Sequence, residues 1–221
     1  MLSIKLVDEV YWAHYIAIEK EFARTFEYVS LSTDNYNVYS EAYLKLILQI
    51  GSELDIVLKE YCELFSQSFS GRNLNDCRKI IKKNDELFCE QKVKVFKFNE
   101  CIIPWEIWGK SENNPVWWRV YNKVKHERTK VGTIENETKE YYKFANLKNT
   151  LYLLAALYQT NVYLYYKVAE EIGERIKTPL LVSGIFQLVE GKWDEIPFYK
   201  PIVVWEDGEG TLYSESVDIH Y

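Results

Sequence analysis

The feature that most constrains the fold is a long stretch of helical periodicity at residues 38–66. Apolar side chains recur in it at spacings of three and four residues, which is the repeat of one face of an α-helix. The residues that form this face are Ile47, Ile50, Leu54, Val57, Leu58, Tyr61 and Phe65. A helix of this length can form half of a helical bundle, so the pattern predicts a fold built on packed helices.

Other segments have helical character as well. Residues 7–29 and 76–90 predict a first helix and a short basic helix. Residues 115–129 predict a further helix, since its first residue is a proline, which a first helical turn tolerates. A last long helix is expected from about residue 138 or 146 to Gly173. The chain is therefore predicted to be mainly α, with an antiparallel bundle of four to five helices.

Between the helices the pattern changes once to that of strands. Residues 93–98 and 101–108 flank the pair Asn99-Glu100, and together they predict a β-hairpin. Pro104 would lie toward an edge or a bulge of this hairpin, because proline cannot donate a ladder hydrogen bond. The hairpin is expected to be an insertion, near 93–108, between helices of the bundle.

The end of the chain has a different character from the rest. Beyond Pro179 three short β-like segments follow one another: Ile185–Val189, Tyr199–Trp205 and Thr211–Val217. Asp207-Gly208 is a turn signal between the last two. The predicted organisation is a helical domain at residues 1–177 and a small β-rich C-terminal extension at 178–221, which packs on the bundle or on a partner subunit.

Composition and charge limit the class of protein. With 221 residues, of which 48% are hydrophobic, the chain can bury the core of one domain, alone or with a small appendage. The net charge of −6 argues against a protein that coats nucleic acid through its overall field. Between Lys110 and Lys130, however, six Lys or Arg residues stand against two acids. That segment is either a locally basic surface or an ordinary solvated face, and the sequence leaves both interpretations open.

Several kinds of site are not indicated. The four cysteines contain no C-x-x-C pair and the chain has only three histidines, so we expect no zinc site, no disulfides and no cofactor. The N-terminus lacks the pattern of a signal peptide, since Asp8 and Glu9 occur early. The most apolar run, Leu151–Tyr158, is far shorter than the roughly 20 residues that span a bilayer. We therefore expect a cytoplasmic protein with reduced thiols and no membrane segment.

One predicted helix carries polar residues suited to chemistry, in the segment Trp117–Arg128. At about 100° per residue, Asn122 follows Arg119 by three positions and His126 follows Asn122 by four, so the three side chains share one helix face. Apolar residues form the opposite face: Trp117, Val120, Tyr121 and Val124. This apolar face can pack on a core while the polar face points away from it.

The cluster resembles the motif of the HEPN superfamily, helical proteins of bacteria and archaea that include RNA-cleaving toxins and phage-defence nucleases. Six residues separate Arg119 from His126, as in that motif, and the string Trp-Trp-Arg-x-Tyr-Asn-x-x-Lys-His-x-Arg is similar to a variant in many uncharacterised bacterial HEPN-like proteins. The resemblance covers roughly residues 38–173. Val120 departs from it, because members often carry a polar residue directly after the Arg, and that role falls here to Asn122.

The resemblance implies an activity and an assembly. HEPN proteins are generally two-fold dimers in which two copies of the motif face one cleft. We therefore expect a homodimer that cleaves RNA without a metal, as an RNase or RNase-derived protein of stress or phage defence. A cognate antitoxin, or another protein partner, is expected if the protein is a toxin.

Each residue of the motif has an expected role. His126 and Arg119 are candidate catalytic residues, because a His can transfer protons near neutral pH and an Arg can hold two phosphate oxygens. Asn122, the third candidate, would orient His126 or bind phosphate. Neighbouring basic residues would bind the substrate: Lys123, Lys125 and Arg128. In HEPN-like proteins an acidic residue of an earlier helix braces the motif Arg, and the resemblance assigns this supporting role to Glu53.

Other interpretations of the same residues stay open. Arg119 and His126 can be ordinary solvent-facing residues or, with Asn122, a hydrogen-bond network at a dimer interface without turnover. The protein would then be a catalytically silent HEPN-like dimer that binds a protein partner or a nucleotide-like ligand. The remaining histidines, His14 and His220, are not expected to belong to the site.

Overall fold

The computed structural model describes the chain in these residues: 2–66, 69–71, 73–98, 100–174, 179, 181–192, 198, 202–206 and 209–213. For residues 98, 202–206 and 209–213 only the backbone is described. Within this part of the chain the protein is mainly α, as the sequence predicts.

Six α-helices make up most of the described structure. The first, α1, is continuous but has a π-helical middle section, and it consists of Ile4–Leu6, Val7–Trp12 and Ala13–Arg24. The other five are α2 (Glu41–Glu63), α3 (Leu74–Asn84), α4 (Glu106–Lys110), α5 (Val116–Glu127) and α6 (Leu147–Ile172). Short 3₁₀ turns lie in the connections, among them Thr25–Glu27 and Glu86–Cys89.

Helices α2 and α6 form the centre of the core and pack most extensively against each other. An isolated bridge between Tyr39 and Asn146 places their starts side by side. Toward their other ends the rings of Tyr61 and Tyr163 lie 6.1 Å apart, so the two helices run in the same direction. The predicted antiparallel arrangement therefore does not hold for this central pair. Both helices bury side chains along most of this length. In α2 the buried residues lie on one face, which is why the periodicity at residues 38–66 is so clear.

Local sequence fixes where these helices begin and end. The hydroxyl of Ser40 accepts a hydrogen bond from the N–H of Tyr43 and caps α2, and the side chain of Asn146 does the same for α6. Gly173 ends α6 in the left-handed conformation, at a φ of 69°, which glycine adopts without steric cost. The alternative start of α6 near residue 138 is therefore wrong, and the start near 146 is confirmed.

The predicted inserted hairpin exists but is shorter than expected. Strand β1 (Lys92–Val95) pairs antiparallel with β2 (Glu100–Ile102), with Val93 opposite Ile102. The second strand does not continue to residue 108, because the chain turns after Ile102 into α4. Pro104 therefore lies between β2 and α4, and its predicted place in the hairpin is wrong. Trp105 and Trp108 are fully buried there, so this segment contributes to the core as a helix.

The C-terminal extension joins the hairpin in one sheet. Strand β5 (Phe186–Val189) pairs antiparallel with the free edge of β1, which gives the strand order β2-β1-β5. Trp12 of α1 also donates a 2.7 Å hydrogen bond from Nε1 to the carbonyl of Leu181. The extension was predicted to pack on the bundle or on a partner subunit. These contacts show that residues 181–189 of the extension pack on the bundle.

Two further hairpins complete the described elements. Strands β3 (Val131–Ile134) and β4 (Glu137–Glu140) directly follow α5, in a segment for which the sequence analysis predicts no strand. Strands β6 (Ile202–Glu206) and β7 (Glu209–Tyr213) pair near the end of the chain, as the pattern there predicts. The turn signal Asp207-Gly208 lies outside the described residues.

The described helices include none that is long and apolar enough to cross a bilayer. The cysteines are free thiols: Cys62, Cys77 and Cys89 are buried and Cys101 is exposed.

Candidate functional site

The motif segment forms α5, and its apolar face holds it on the core. Pro115 precedes the first helical residue, at the N-cap, so the helix is slightly shorter than predicted at both ends. The apolar residues Trp117, Trp118, Val120, Tyr121 and Val124 are buried. Trp117 donates a 3.1 Å hydrogen bond from Nε1 to the carbonyl of Pro104 and lies edge-on to Trp105. The predicted division of this helix into a packed face and a polar face is confirmed.

The polar face is directed to solvent. Arg119 and His126 are exposed and Asn122 is partly buried between them. Among the residues that the structure describes, neither Arg119 nor His126 has a hydrogen-bond or ion-pair partner. Both side chains can therefore reach a ligand without first breaking an intramolecular contact.

Asn122 has a partner on its own helix. Its Nδ2 donates a 3.0 Å hydrogen bond to the carbonyl oxygen of Trp118, one turn earlier. This bond uses Nδ2, and among the described residues Asn122 forms no hydrogen bond with His126, the residue that it was predicted to orient. Its Oδ1 is left as an acceptor.

The three basic residues beside the motif differ in how their charge is used. Lys123 forms an ion pair of 2.7 Å with Glu127, and this partner raises the pKa of the lysine and lowers that of the glutamate. Lys125 donates only to the hydroxyl of Tyr121, at 3.2 Å. Arg128 donates to a backbone carbonyl of its own helix, at 3.5 Å. Lys125 and Arg128 therefore keep an uncompensated positive charge within the described structure, whereas Lys123 does not.

The supporting acid, Glu53, does not lie against Arg119. Its Oε2 is 3.8 Å from Nε2 of His14, so it faces α1. Burial between α1 and α2 raises the pKa of Glu53, and the nearby His14 opposes that shift. The expected role of Glu53 is thus corrected: its partner is a histidine that the sequence analysis places outside the site.

The acid of α2 that does approach the motif helix is Asp55. It lines the same cleft as Trp118 and Lys125 of α5 and forms an ion pair of 2.6 Å with Lys59. Sequence reasoning missed it, although one signal was present. Asp55 is one helical turn after Gly51, and glycine in a long helix can mark the place where another helix crosses closely.

A cleft of about 240 Å³ opens between these elements. One wall is the side of α5 that carries Asn122 and Lys125, and the others are Asp55 and the start of α3. Arg119 and His126 do not line it; they lie on the adjacent, outward face of the same helix. The sequence alone did not indicate this cleft, because its lining comes from three segments that are distant in the chain.

The exposed face offers an arginine and a histidine, which together can bind an anion and transfer a proton. In the described residues no group of three or more His, Cys, Asp or Glu side chains is placed to hold a metal ion. Comparison of the chain with protein-family models, with curated proteins and with solved structures gives no match.

Proposed function

We propose that the protein is a metal-independent endoribonuclease, or a protein derived from one, that acts as a homodimer of the HEPN type in stress or phage defence. The observation that carries the proposal is the pair Arg119 and His126. Both side chains are exposed on one face of a helix whose other face is packed, and both are free of partners in the described structure. A solvent-facing pair of this kind is suited to a phosphodiester.

The chemistry needs three functions. A base removes the proton of the ribose 2′-OH, whose oxygen then attacks phosphorus as the bond to the 5′-oxygen breaks, and an acid protonates that leaving oxygen. His126 provides the proton-transfer group, and Arg119 binds the non-bridging oxygens on which negative charge accumulates. Along the helix the two residues are separated by about 10 Å, a gap that the long arginine side chain can narrow around one phosphate.

One copy of the motif holds Arg119 and His126 about 10 Å apart along the helix. A two-fold dimer that brings two copies of this face to one cleft would place Arg119 of one protomer beside His126 of the other, and this histidine would take the 2′-OH proton and return a proton to the leaving 5′-oxygen. The homodimer is therefore part of the proposal.

The experiment is cleavage of labelled single-stranded and structured RNAs in excess EDTA. Wild type is compared with Arg119→Ala and His126→Ala, and with Arg24→Ala and His14→Ala as matched controls on α1. We expect the two motif variants to lose activity by about 10²- to 10⁴-fold, the usual contribution of a proton-transfer group, and the controls to stay active. Dependence on a metal, or equal activity in all five proteins, would contradict the proposal.

The second candidate is a catalytically silent dimer that binds a nucleotide-like ligand or a protein partner such as an antitoxin. The cleft beside α5 favours it, because a pocket with several polar groups is a binding feature that needs no turnover. Under this function no RNA is cleaved by the folded wild-type dimer. His126→Ala weakens association if the partner binds the motif face, and Asn122→Ala weakens it if the partner binds the cleft. Measuring cleavage and binding on the same samples separates the two candidates.

A further inference from the structure

The cleft beside the motif helix is lined mainly by polar side chains, and side-chain amides predominate. The six polar residues that line it are Asp55, Asn73, Asn75, Asn114, Asn122 and Lys125. At about 240 Å³ it is smaller than the roughly 300–1,000 Å³ of pockets that enclose a drug-sized ligand. It is therefore suited to one chemical group of a larger ligand.

The wall formed by the loop before α5 is held in place by a buried charge. Arg78 of α3 is only 6% exposed, and its guanidinium donates to the backbone carbonyl of Glu112 and pairs with the Glu112 carboxylate at 3.6 Å. Within the same loop the N–H of Asn113 donates to the hydroxyl of Ser111 at 3.1 Å. These bonds fix the position of the next residue, Asn114, at the rim of the cleft.

The amide of Asn114 carries an unused group. Its Oδ1 is buried and has no hydrogen-bond partner in the described part of the chain. Leaving such an oxygen without a donor costs free energy. Because Asn114 lines the cleft, a rotation of its side chain would present this acceptor to a ligand N–H and recover that cost.

The other lining groups provide both donors and acceptors. The Oδ1 of Asn73 accepts from two backbone N–H groups at the start of α3, which leaves its Nδ2 as a donor. Asn122 is bonded through Nδ2 and offers Oδ1 instead. Lys125 has protons beyond the one that it donates to Tyr121. This combination of hydrogen-bond donors and acceptors is suited to a flat ligand whose edge also alternates donors and acceptors.

Charge argues against a bare anion as the occupant. The lining carries one ammonium, from Lys125, and one carboxylate, from Asp55, which already pairs with Lys59 at 2.6 Å. A phosphate would meet little net positive charge there. Unstacked nucleobases, in contrast, are recognised by hydrogen bonds to their edges, and asparagine amides are well suited to form them.

We propose that this cleft binds one nucleobase of an RNA strand whose neighbouring phosphate lies on the Arg119 and His126 face. The inference rests on the proposed function, since it names the part of the substrate that the adjacent surface recognises. Asn122 connects the two surfaces, because it lies about 4.5 Å along the helix axis from Arg119 and about 6 Å from His126. Trp118 and Tyr121, which are 8% and 4% exposed, form an apolar wall and leave recognition to the amides.

The test measures binding separately from cleavage. Deoxyribose hexamers of each base, and one abasic hexamer of equal length, are titrated against the full-length wild-type protein by fluorescence anisotropy. These probes lack the attacking 2′-OH and stay intact. We expect at least one base to bind tenfold or more tightly than the abasic hexamer, since two or three net hydrogen bonds give a factor of this size.

Substitutions in the cleft test whether the preference for base-containing probes arises there. Asn114→Leu should remove most of the difference between base-containing and abasic probes while leaving abasic binding unchanged, and Asn113→Leu, an exposed neighbour, should keep it. Asn75→Leu provides a second variant if Asn114→Leu does not fold. Equal affinity for both kinds of probe, or an unchanged preference in the folded cleft variants, overturns the proposal.

Free nucleotides and RNA cleavage complete the design. The four nucleoside monophosphates should compete only weakly, because they lack the neighbouring phosphates of a strand. Competition as strong as that of the hexamer overturns the assignment to a strand. A base preference without RNA cleavage would contradict the proposed nuclease activity and support the assignment of the cleft. RNA cleavage without a base preference would support the nuclease activity and contradict the assignment of the cleft.

Discussion

The ring of Tyr121 lies directly on Gly51, where the motif helix α5 crosses α2. A Cβ atom at residue 51 would overlap this ring. Both residues are buried, so the glycine lets the two helices approach closely enough for the tyrosine to be enclosed. The contact holds the inner face of α5 and thereby directs Arg119 and His126 outward.

Replacing Gly51 with alanine should destabilise the protein. Alanine is favoured over glycine in a helix by about 1 kcal/mol, but overpacking a close contact costs about 1–3 kcal/mol. We expect a net loss of about 1 kcal/mol in the free energy of unfolding, measured by urea denaturation.

Gly109→Ala is the matched control, because the nearest atom that a methyl group would meet there is Cβ of Cys89, at 3.6 Å. This variant should be as stable as wild type or slightly more stable. If Gly51→Ala matches Gly109→Ala, the crossing is looser than the structure indicates.

A second buried contact fastens the C-terminal extension to α1. The carboxylate of Glu19 is 2% exposed and accepts hydrogen bonds from Tyr15, from the hydroxyl of Ser183 at 2.5 Å and from the N–H of Gly184 at 2.8 Å. Burial raises the pKa of Glu19 above its ordinary value of 4.5, although the three hydrogen bonds and the nearby Lys20 oppose the shift.

This pKa shift predicts how stability changes with pH. A carboxyl group whose pKa is raised on folding favours the native state below pH 4.5, and that contribution is lost as the pH rises through the folded-state pKa. Glu19→Gln does not titrate. The free energy of unfolding of this variant relative to wild type should therefore increase from pH 4 to pH 8, whatever its offset at low pH.

Urea denaturation at several pH values measures this difference. Glu21→Gln, an exposed position on the same helix, is the control. The difference for Glu19→Gln should change with pH more than the difference for Glu21→Gln, and equal changes in the two variants would mean that burial of the Glu19 carboxyl carries no linkage.

The helices were predictable because their burial is one-sided or complete over many residues. In α5 the apolar side chains recur at helical spacing, so both its extent and its outward face could be read from the sequence. The hairpin β3–β4 could not, because its strands have four residues each and only Ile134 among them is buried. Short exposed strands leave almost no hydrophobic pattern.

The orientation of the acidic residues on α2 could not be predicted from the sequence either. Glu53 and Asp55 flank the apolar stripe of the helix on opposite sides, and periodicity cannot say which side faces α5. Packing decides this: α1 covers the side of Glu53, where His14 lies, and α5 covers the side of Gly51 and Asp55. The same limit explains why the cleft, which needs three packed segments, was not foreseen.

The differing environments of the basic residues predict a graded effect on RNA binding. Lys125 and Arg128 have uncompensated charges, whereas Lys123 is paired with Glu127 at 2.7 Å. Each phosphate contact that is lost should reduce the slope of log affinity against log salt by about 0.7 for a single strand.

We therefore expect Arg128→Ala to reduce the slope by about this amount. Lys123→Ala and Lys125→Ala should reduce it less, because Lys123 is paired with Glu127 and Lys125 lines the nucleobase cleft. Lys45→Ala, an exposed lysine on α2, is the control. The measurement is fluorescence anisotropy with an RNA oligomer between about 50 and 200 mM salt. Equal slopes in all variants would remove these residues from the RNA-binding surface.

The last prediction tests whether two protomers share a site. If Arg119 of one protomer acts with His126 of the other, a mixed dimer of Arg119→Ala and His126→Ala contains one intact site. Random exchange makes half of the dimers mixed, so the mixture should regain about a quarter of wild-type RNA cleavage. If each motif acts within its own protomer, every site in the mixture lacks one residue, and no activity returns. In the assay the two inactive proteins are unfolded and then refolded, once together and once separately. Light scattering verifies that both samples recover the same amount of dimer. RNA cleavage in the co-refolded sample alone is the result expected for a shared site.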